Sequence, residues 1–265
     1  MALGKNMGNK KEYLQRIKEF RLLDDSFMSR VFDENVECTE LILRIILDRP
    51  DISVSAVHTQ REIKNLKGHS VRLDLDAKST DGEPIDVEIQ REDKGAGVKR
   101  ARYNSSMMDA DILVKGEEYD KLPESYVIFI TENDVMGAGC PIYHADRIVA
   151  ETGKRLGDGT HIIYVNGAYR DDSPIGKLMH DFSCVDPDEM YYKPLAEQAR
   201  YYKKNEKGVE AMCRIMEDLI DREKREMILR MKEMGKLSSE DIAEITDFTV
   251  EEVEAVNQES VMFTR

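Results

Sequence analysis

Apolar and polar residues change period several times along the chain, and each change marks an element. Residues 1–22 read as an amphipathic, basic lead-in helix. From 27 to 47 (FMSRVFDENVECTELILRIIL) the apolar positions recur at helical spacing. The density peaks over Val36–Leu47. There Leu41, Ile42, Leu43, Ile45, Ile46 and Leu47 form a wide arc against a polar stripe of Glu37, Arg44 and Asp48. Glu40 falls at the edge of that stripe, and Pro50 predicts the helix end. A short strand is expected over Ile52–Val57, with a turn at Gly68. The period then drops to two. Residues 71–78 and 85–91 alternate apolar with polar, and Asp81-Gly82 between them predicts a hairpin turn. After Gly95 and Gly97 a helix is expected from about 98 to 110, carrying Tyr103 and Met107-Met108. SYVIFIT (125–131) is an unbroken β-rich run, as in a strand buried on both faces. Glycines dominate 133–160, with a strand candidate at 142–149 and another at 161–167. Residues 194–236 are helical in pattern and charged. Met212, Ile215, Met216, Leu219 and Ile220 form one apolar stripe, and Ile228, Met231 and Met234 suggest a second. Residues 238–256 predict two short helices, with Ser238 or Ser239 and Thr249 as N-caps. This order of elements predicts an α/β fold: a mixed sheet with the hairpin at its centre, flanked by helices. The expected division is a domain over 1–190 and a charged helical segment over 191–265.

The hairpin carries the chemistry. Strand parity places Arg72, Asp74 and Asp76 on one face and Asp86, Glu88 and Gln90 on the facing strand. A turn centred near Asp81 sets Asp76 against Asp86, Asp74 against Glu88 and Arg72 against Gln90. Such alternation also describes the ordinary solvated face of an antiparallel sheet. Yet like charges directly opposite each other destabilise a sheet, and two such pairs in succession need compensation. A divalent cation supplies it, and Arg72 supplies part of it. Mg²⁺ takes few protein ligands and keeps several waters, so Asp74, Glu88 and the Ile89 carbonyl suffice as ligands. With phosphate neutralised, water activated and the leaving oxygen stabilised, the reaction expected there is phosphodiester hydrolysis.

Charge changes the picture locally. The formal net charge is -14, which disfavours a protein that simply coats nucleic acid. Residues 238–265 hold eight acids and one base, so half of that excess lies at the C-terminal end. A recognition helix bearing Glu251, Glu252 and Glu254 would repel phosphate, so a packing or partner role is expected for 238–256. Immediately after the acidic hairpin, Arg91, Lys94, Lys99, Arg100 and Arg102 stand against Glu92 and Asp93. Lys99, Arg100 and Arg102 are the candidates for nucleic-acid backbone contact.

Other classes are disfavoured. Four scattered cysteines form no CxxC pair and read as reduced thiols in a cytoplasmic protein. The five histidines show no HxH or HExxH spacing, and no GxxxxGK[ST] is present, so neither a zinc hydrolase nor a nucleotide cofactor is expected. No apolar run is long enough to span a membrane, and residues 1–20 lack the apolar core of a secretory signal.

Asp, a hairpin, then Glu-x-Gln, after a helix bearing a carboxylate, resembles the PD-(D/E)XK nuclease superfamily. KGHSVRLDLDAKSTDGEPIDVEIQ (67–90) with RARYNSSMMDADIL (100–113) resembles the family of recombination-promoting nucleases and transposases within it. Residues 27–47 and 242–256 share the likeness. The resemblance implies an αβββαβ core and a metal-dependent DNA endonuclease. It implies Asp74 and Glu88 as Mg²⁺ or Mn²⁺ ligands, Gln90 in the position that is Lys in many members, and a supporting carboxylate on the first helix. Glu40 is the choice for that carboxylate and Glu37 the rival. Glutamine orients by hydrogen bonds but supplies no positive charge. A homodimer through the C-terminal helical segment suits double-strand cutting. An RNA-directed nuclease and a catalytically silent binding protein of the same fold are the alternatives.

Overall fold

The computed structural model describes residues 13–65, 68–91, 93–246 and 248–257. One compact unit spans Lys18–Asn205, and the described parts of 1–17 and 206–265 form a second. The division expected near residue 190 falls after Asn205, because the helix over 193–204 belongs with the first unit. Of the expected lead-in helix, residues 13–19 are helical, and its first twelve positions lie outside the described residues.

The first unit is built on one mixed six-stranded sheet. β1 (Val54–Ile63), β2 (Val71–Ser79) and β3 (Pro84–Gln90) form an antiparallel meander. β3 runs parallel to β4 (Ser125–Thr131). The parallel pairing requires a crossover, supplied by helix α3 (Val98–Ile112). The edge strand β5 (Ile142–Ala145) is followed by a separate ribbon of β6 (Ile148–Val149) and β7 (Lys154–Arg155). β8 (Thr160–Asn166) returns between β4 and β5, parallel to the first and antiparallel to the second. Every residue of β4 is buried, as its continuous apolar run requires. Phe129 stacks on Tyr164 with centroids 5.4 Å apart, in the core between α3 and the sheet.

The apolar stretch 27–47 forms two helices rather than one: α1 (Asp25–Phe32) and α2 (Val36–Ile46). Asp33-Glu34-Asn35 breaks them. The Asn35 side chain accepts from Cys38 N at 3.1 Å, and Glu34 adopts a left-handed φ of 53°. A capping side chain offers the backbone an alternative to helix continuation. α2 ends ahead of Pro50, with Asp48 also left-handed. Helix α4 (Pro174–Ser183) has no counterpart in the sequence reading, though Ser173 as N-cap and Ile175, Leu178, Met179 and Phe182 at helical spacing signal it. Helix α5 (Lys193–Lys204) follows. Its Lys203 is buried. The ammonium donates to the carbonyls of Lys18 (3.1 Å), Phe20 and Val185, and it lies 5.3 Å from the Phe27 ring centroid. Burial pushes its pKa down to about 8.

In the second unit, α6 (Glu206–Met234), α7 (Ser239–Thr246) and α8 (Val250–Ala255) surround Ile228, Ile242, Val253 and Val256. Ser238 caps α7, and Thr249 with Glu252 forms a capping box on α8. Met212 and Met216 are buried, and Met227 and Met234 are exposed. No helix among the described residues is long and apolar enough to cross a membrane.

Candidate metal centre

The β2–β3 ladder starts as the turn dictates, with Asp76 opposite Asp86 and Leu75 opposite Val87, and its pairing stops there. Beyond that point Asp74 fills the opening with its side chain. Its Oδ2 accepts from Ile89 N at 3.1 Å, where a ladder carbonyl would otherwise stand. A strand residue presents its N–H and C=O to the same edge, so the Ile89 carbonyl faces this opening too.

The face is not solvated, as the sequence suggested, but buried under α3. Asp74, Asp86 and Glu88 are all buried. The expected simple parity also fails. Asp86 and Glu88 face α3, where Asn104 binds them, and Asp76 does so through Arg61, which also pairs with Asp111 of α3. Val71 and Leu73 pack in the core with Ala101 and Met107 of that same helix. Regular alternation would put Leu73 and Asp76 on opposite faces. The inversion lies between them, and on β1 it is matched by Gln60, in a left-handed conformation with φ 56° between the pairs Thr59–Leu75 and Arg61–Leu73. A non-glycine residue held there stores strain. Arg72 pairs with Glu62 across the β1–β2 ladder, not with Gln90.

Asp74, Glu88, Gln90 and Arg100 meet at the opening, and Asn104 and Asp86 extend the cluster under α3. Gln90 Nε2 lies 3.5 Å from Asp74 Oδ2 and 3.2 Å from Glu88 Oε2, so one amide nitrogen bridges both carboxylates. The Arg100 guanidinium, expected to face phosphate, is ion-paired with Glu88 Oε2 and also reaches the Gly95 carbonyl at 3.3 Å. Asn104 Nδ2, on the inner face of α3, donates to Asp86 Oδ2 and Glu88 Oε1, each at 3.1 Å. Among the described residues, Asp86 Oδ1 has no hydrogen-bond partner.

Burial, reinforced by the charge of Asp25, raises the Asp74 pKa to about 6. Burial and the charge of Asp74 raise Glu88 to about 8. Burial and Glu88 raise Asp86 well above the usual carboxylate range. At neutral pH this cluster therefore retains protons that exposed acids would have lost.

Glu40 is not part of it. Its Oε1 accepts from Val54 N at 2.9 Å and its Oε2 pairs with Arg44 at 2.7 Å. Val54 pairs with Ser79, five residues along β2 from Asp74, or roughly 17 Å at strand rise. The helix carboxylate whose charge reaches Asp74 is Asp25, the first residue of α1, held by Gln60 Nε2 at 2.8 Å. Asp24 before it binds Arg91 at 2.7 Å, and Arg91 with Arg21 flanks Glu132. Sequence reading missed Asp25, because the apolar arc drew attention to the second helix. It also missed Asn104, whose signal is its place between Ala101 and Met108 on the buried stripe of α3. Lys99 and Arg102 lie exposed on α3. Tyr103 beside them donates to the His69 carbonyl at 2.6 Å and accepts from Asn65.

Among the described residues, no three His, Cys, Asp or Glu side chains gather tightly enough to cage a metal. Two buried carboxylates and a carbonyl nonetheless suit a hard cation that keeps most of its waters. The amide bridging Asp74 and Glu88 marks where their lone pairs converge, so the donor set fits such an ion.

A mixed sheet with an acidic opening beneath a crossover helix agrees with a nuclease fold of the PD-(D/E)XK type. The model of the PD-(D/E)XK nuclease family transposases matches residues 33–168, and the chain belongs to that family. The match includes Asp74, Glu88, Gln90, Arg100 and Asn104 and excludes Asp25 and everything after residue 168. No match was found among curated proteins or solved structures. Membership makes the chain a nuclease- or transposase-like protein that engages nucleic acid, in a superfamily whose members generally use divalent metal ions.

Proposed function

We propose that the protein is a Mg²⁺- or Mn²⁺-dependent endonuclease that hydrolyses DNA phosphodiester bonds. The observation that carries this reading is the convergence of Asp74, Glu88 and Gln90 on one opening in the sheet. Asp74, Glu88 and the Ile89 carbonyl would hold the ion, which supplies phosphate neutralisation and a water of lowered pKa. Gln90 then orients a water or a phosphate oxygen through its amide, without the charge a lysine would bring. Asn104 fixes Glu88 in place from the helix side. Arg100 neutralises Glu88 and is the cation closest to the carboxylates that could turn to a phosphate. Lys99 and Arg102 bind the backbone without reading sequence. Asp25 acts on Asp74 electrostatically from the rim.

Plasmid nicking tests this directly. The wild type is expected to nick DNA with Mg²⁺ and to stop with EDTA. Asp74→Asn and Glu88→Gln should lower the rate by about a hundredfold or more, on the scale of lost charge stabilisation. Nicking unchanged by both substitutions would sink the assigned site. Metal binding without cleavage of DNA or RNA supports a silent binding protein, and cleavage of RNA alone changes the substrate.

A further inference from the structure

The segment between β3 and α3 contains Gly95, for which the backbone supplies no reason. Its φ lies outside the left-handed region, so any L-residue could adopt the conformation. The reason lies in front of it. An ideal Cβ at position 95 would stand 2.0 Å from Gln90 Oε1 and 3.0 Å from Gln90 Cδ. The Gln90 amide therefore occupies the space that a side chain would take. Its orientation follows from its hydrogen bonds: Nε2 donates to Asp74 Oδ2 and Glu88 Oε2, so Oε1 is turned to Gly95. The carbonyl of the same glycine accepts from Arg100 Nη1 at 3.3 Å, and Arg100 is the ion-pair partner of Glu88. One residue thus borders both the amide and the guanidinium that touch Glu88.

We propose that Gly95 is a positioning residue for this site: its missing side chain is the seat of the Gln90 amide, and it acts on the reaction only through Gln90. A methyl group at 95 clashes with the far end of a flexible side chain, so the fold tolerates it and Gln90 swings off the carboxylates. A displacement on the order of 1 Å in such a group costs about a hundredfold in rate. The kinetic half of this inference rests on the proposed cleavage reaction; the positional half does not.

The experiment combines Gly95→Ala, Gln90→Ala and the double variant, with Val98→Ala as a neighbouring control. In metal-free protein labelled at glutamine side-chain nitrogens, Gly95→Ala is expected to shift the Gln90 amide resonances, and Val98→Ala to leave them in place. In Mg²⁺-dependent nicking, Gly95→Ala should lower kcat/KM by about tenfold to a hundredfold. It should cost less than about twofold further when Gln90 is already alanine, because coupled residues are not additive. An unmoved Gln90 resonance in Gly95→Ala overturns the inference even if no nucleic acid is cleaved. An undiminished loss in the Gln90→Ala background overturns it from the kinetic side. If Gly95→Ala does not fold, Gly95→Ser folded and with Gln90 unshifted overturns it as well.

Discussion

Raising the pH of the metal-free protein is expected to loosen its fold. In the unfolded chain Asp74 and Glu88 titrate near 3.8 and 4.5, and in the folded protein they keep their protons up to about 6 and about 8. Below the lower values both states are protonated and the pair makes no difference. Between them the unfolded chain has released protons that the folded one retains, so each step up in pH subtracts stability. Above about 8 the loss is complete. One pH unit of separation is worth about 1.4 kcal/mol, so Glu88 alone accounts for on the order of 5 kcal/mol across the window. That is a large part of the roughly 5–15 kcal/mol that holds a domain folded. Asp74 and Glu88 share one repulsion, so their contributions are not summed. Urea midpoints in EDTA from pH 5 to 9 measure the slope. Asp74→Asn removes the charge that adds to burial in raising Glu88, and Asp74's own titration with it, so it should flatten the curve in part. The difference between the two slopes isolates the pair from every other titrating group. Parallel curves for wild type and Asp74→Asn would refute the assigned repulsion. So would a stability that rises through this window in the wild type but not in the variant.

Glu40→Ala should lower stability by about 1–3 kcal/mol, since it strips Val54 N of its acceptor and Arg44 of its counter-charge, while leaving kcat of Mg²⁺-dependent nicking unchanged. Urea titration and nicking at saturating DNA separate the two effects, and a large fall in kcat with normal stability would return Glu40 to the site. Lys99→Ala and Arg102→Ala should each weaken DNA binding uniformly across sequences and reduce the slope of log affinity against log salt by about 1. Fluorescence anisotropy at several salt concentrations checks this; an unchanged slope places the DNA elsewhere.

Much of the site was legible because two-residue periodicity and an Asp-Gly turn fix register without tertiary help. Asp76 does oppose Asp86, and Asp74 and Glu88 do converge. Burial was not legible. Alternation describes an edge exposed to water as well as one roofed by a helix, and only the packing of α3 decides between them. The strain at Gln60 was equally hidden, since nothing in the residue type announces a left-handed conformation. The helix carboxylate went astray for a related reason. Glu40 lies on the more strongly patterned helix, but it is the start of the weaker helix, separated by the break at Asp33–Asn35, that lies near Asp74. Asn104 was hidden in plain pattern: a polar residue on an apolar stripe needs a partner, and only the fold supplies Asp86 and Glu88. Helix α4 was readable from its Ser-Pro start and apolar spacing.

The buried Lys203 has a bearing on the order in which the candidate centre is secured. It fastens the carbonyls of Lys18 and Phe20, a few residues ahead of Asp24 and Asp25, from a point 185 and 183 positions further along the chain. A polypeptide leaves the ribosome N-terminus first. The acidic opening between β2 and β3 can therefore assemble early, with Gln60 and Arg91 already present to hold Asp25 and Asp24, but the residues just ahead of them are fastened only once α5 is synthesised and docked. The last fastening of the segment that leads to Asp25 is thereby a late event in biosynthesis, and a chain truncated before residue 203 would carry the carboxylate pair without the Lys203 anchor on that segment.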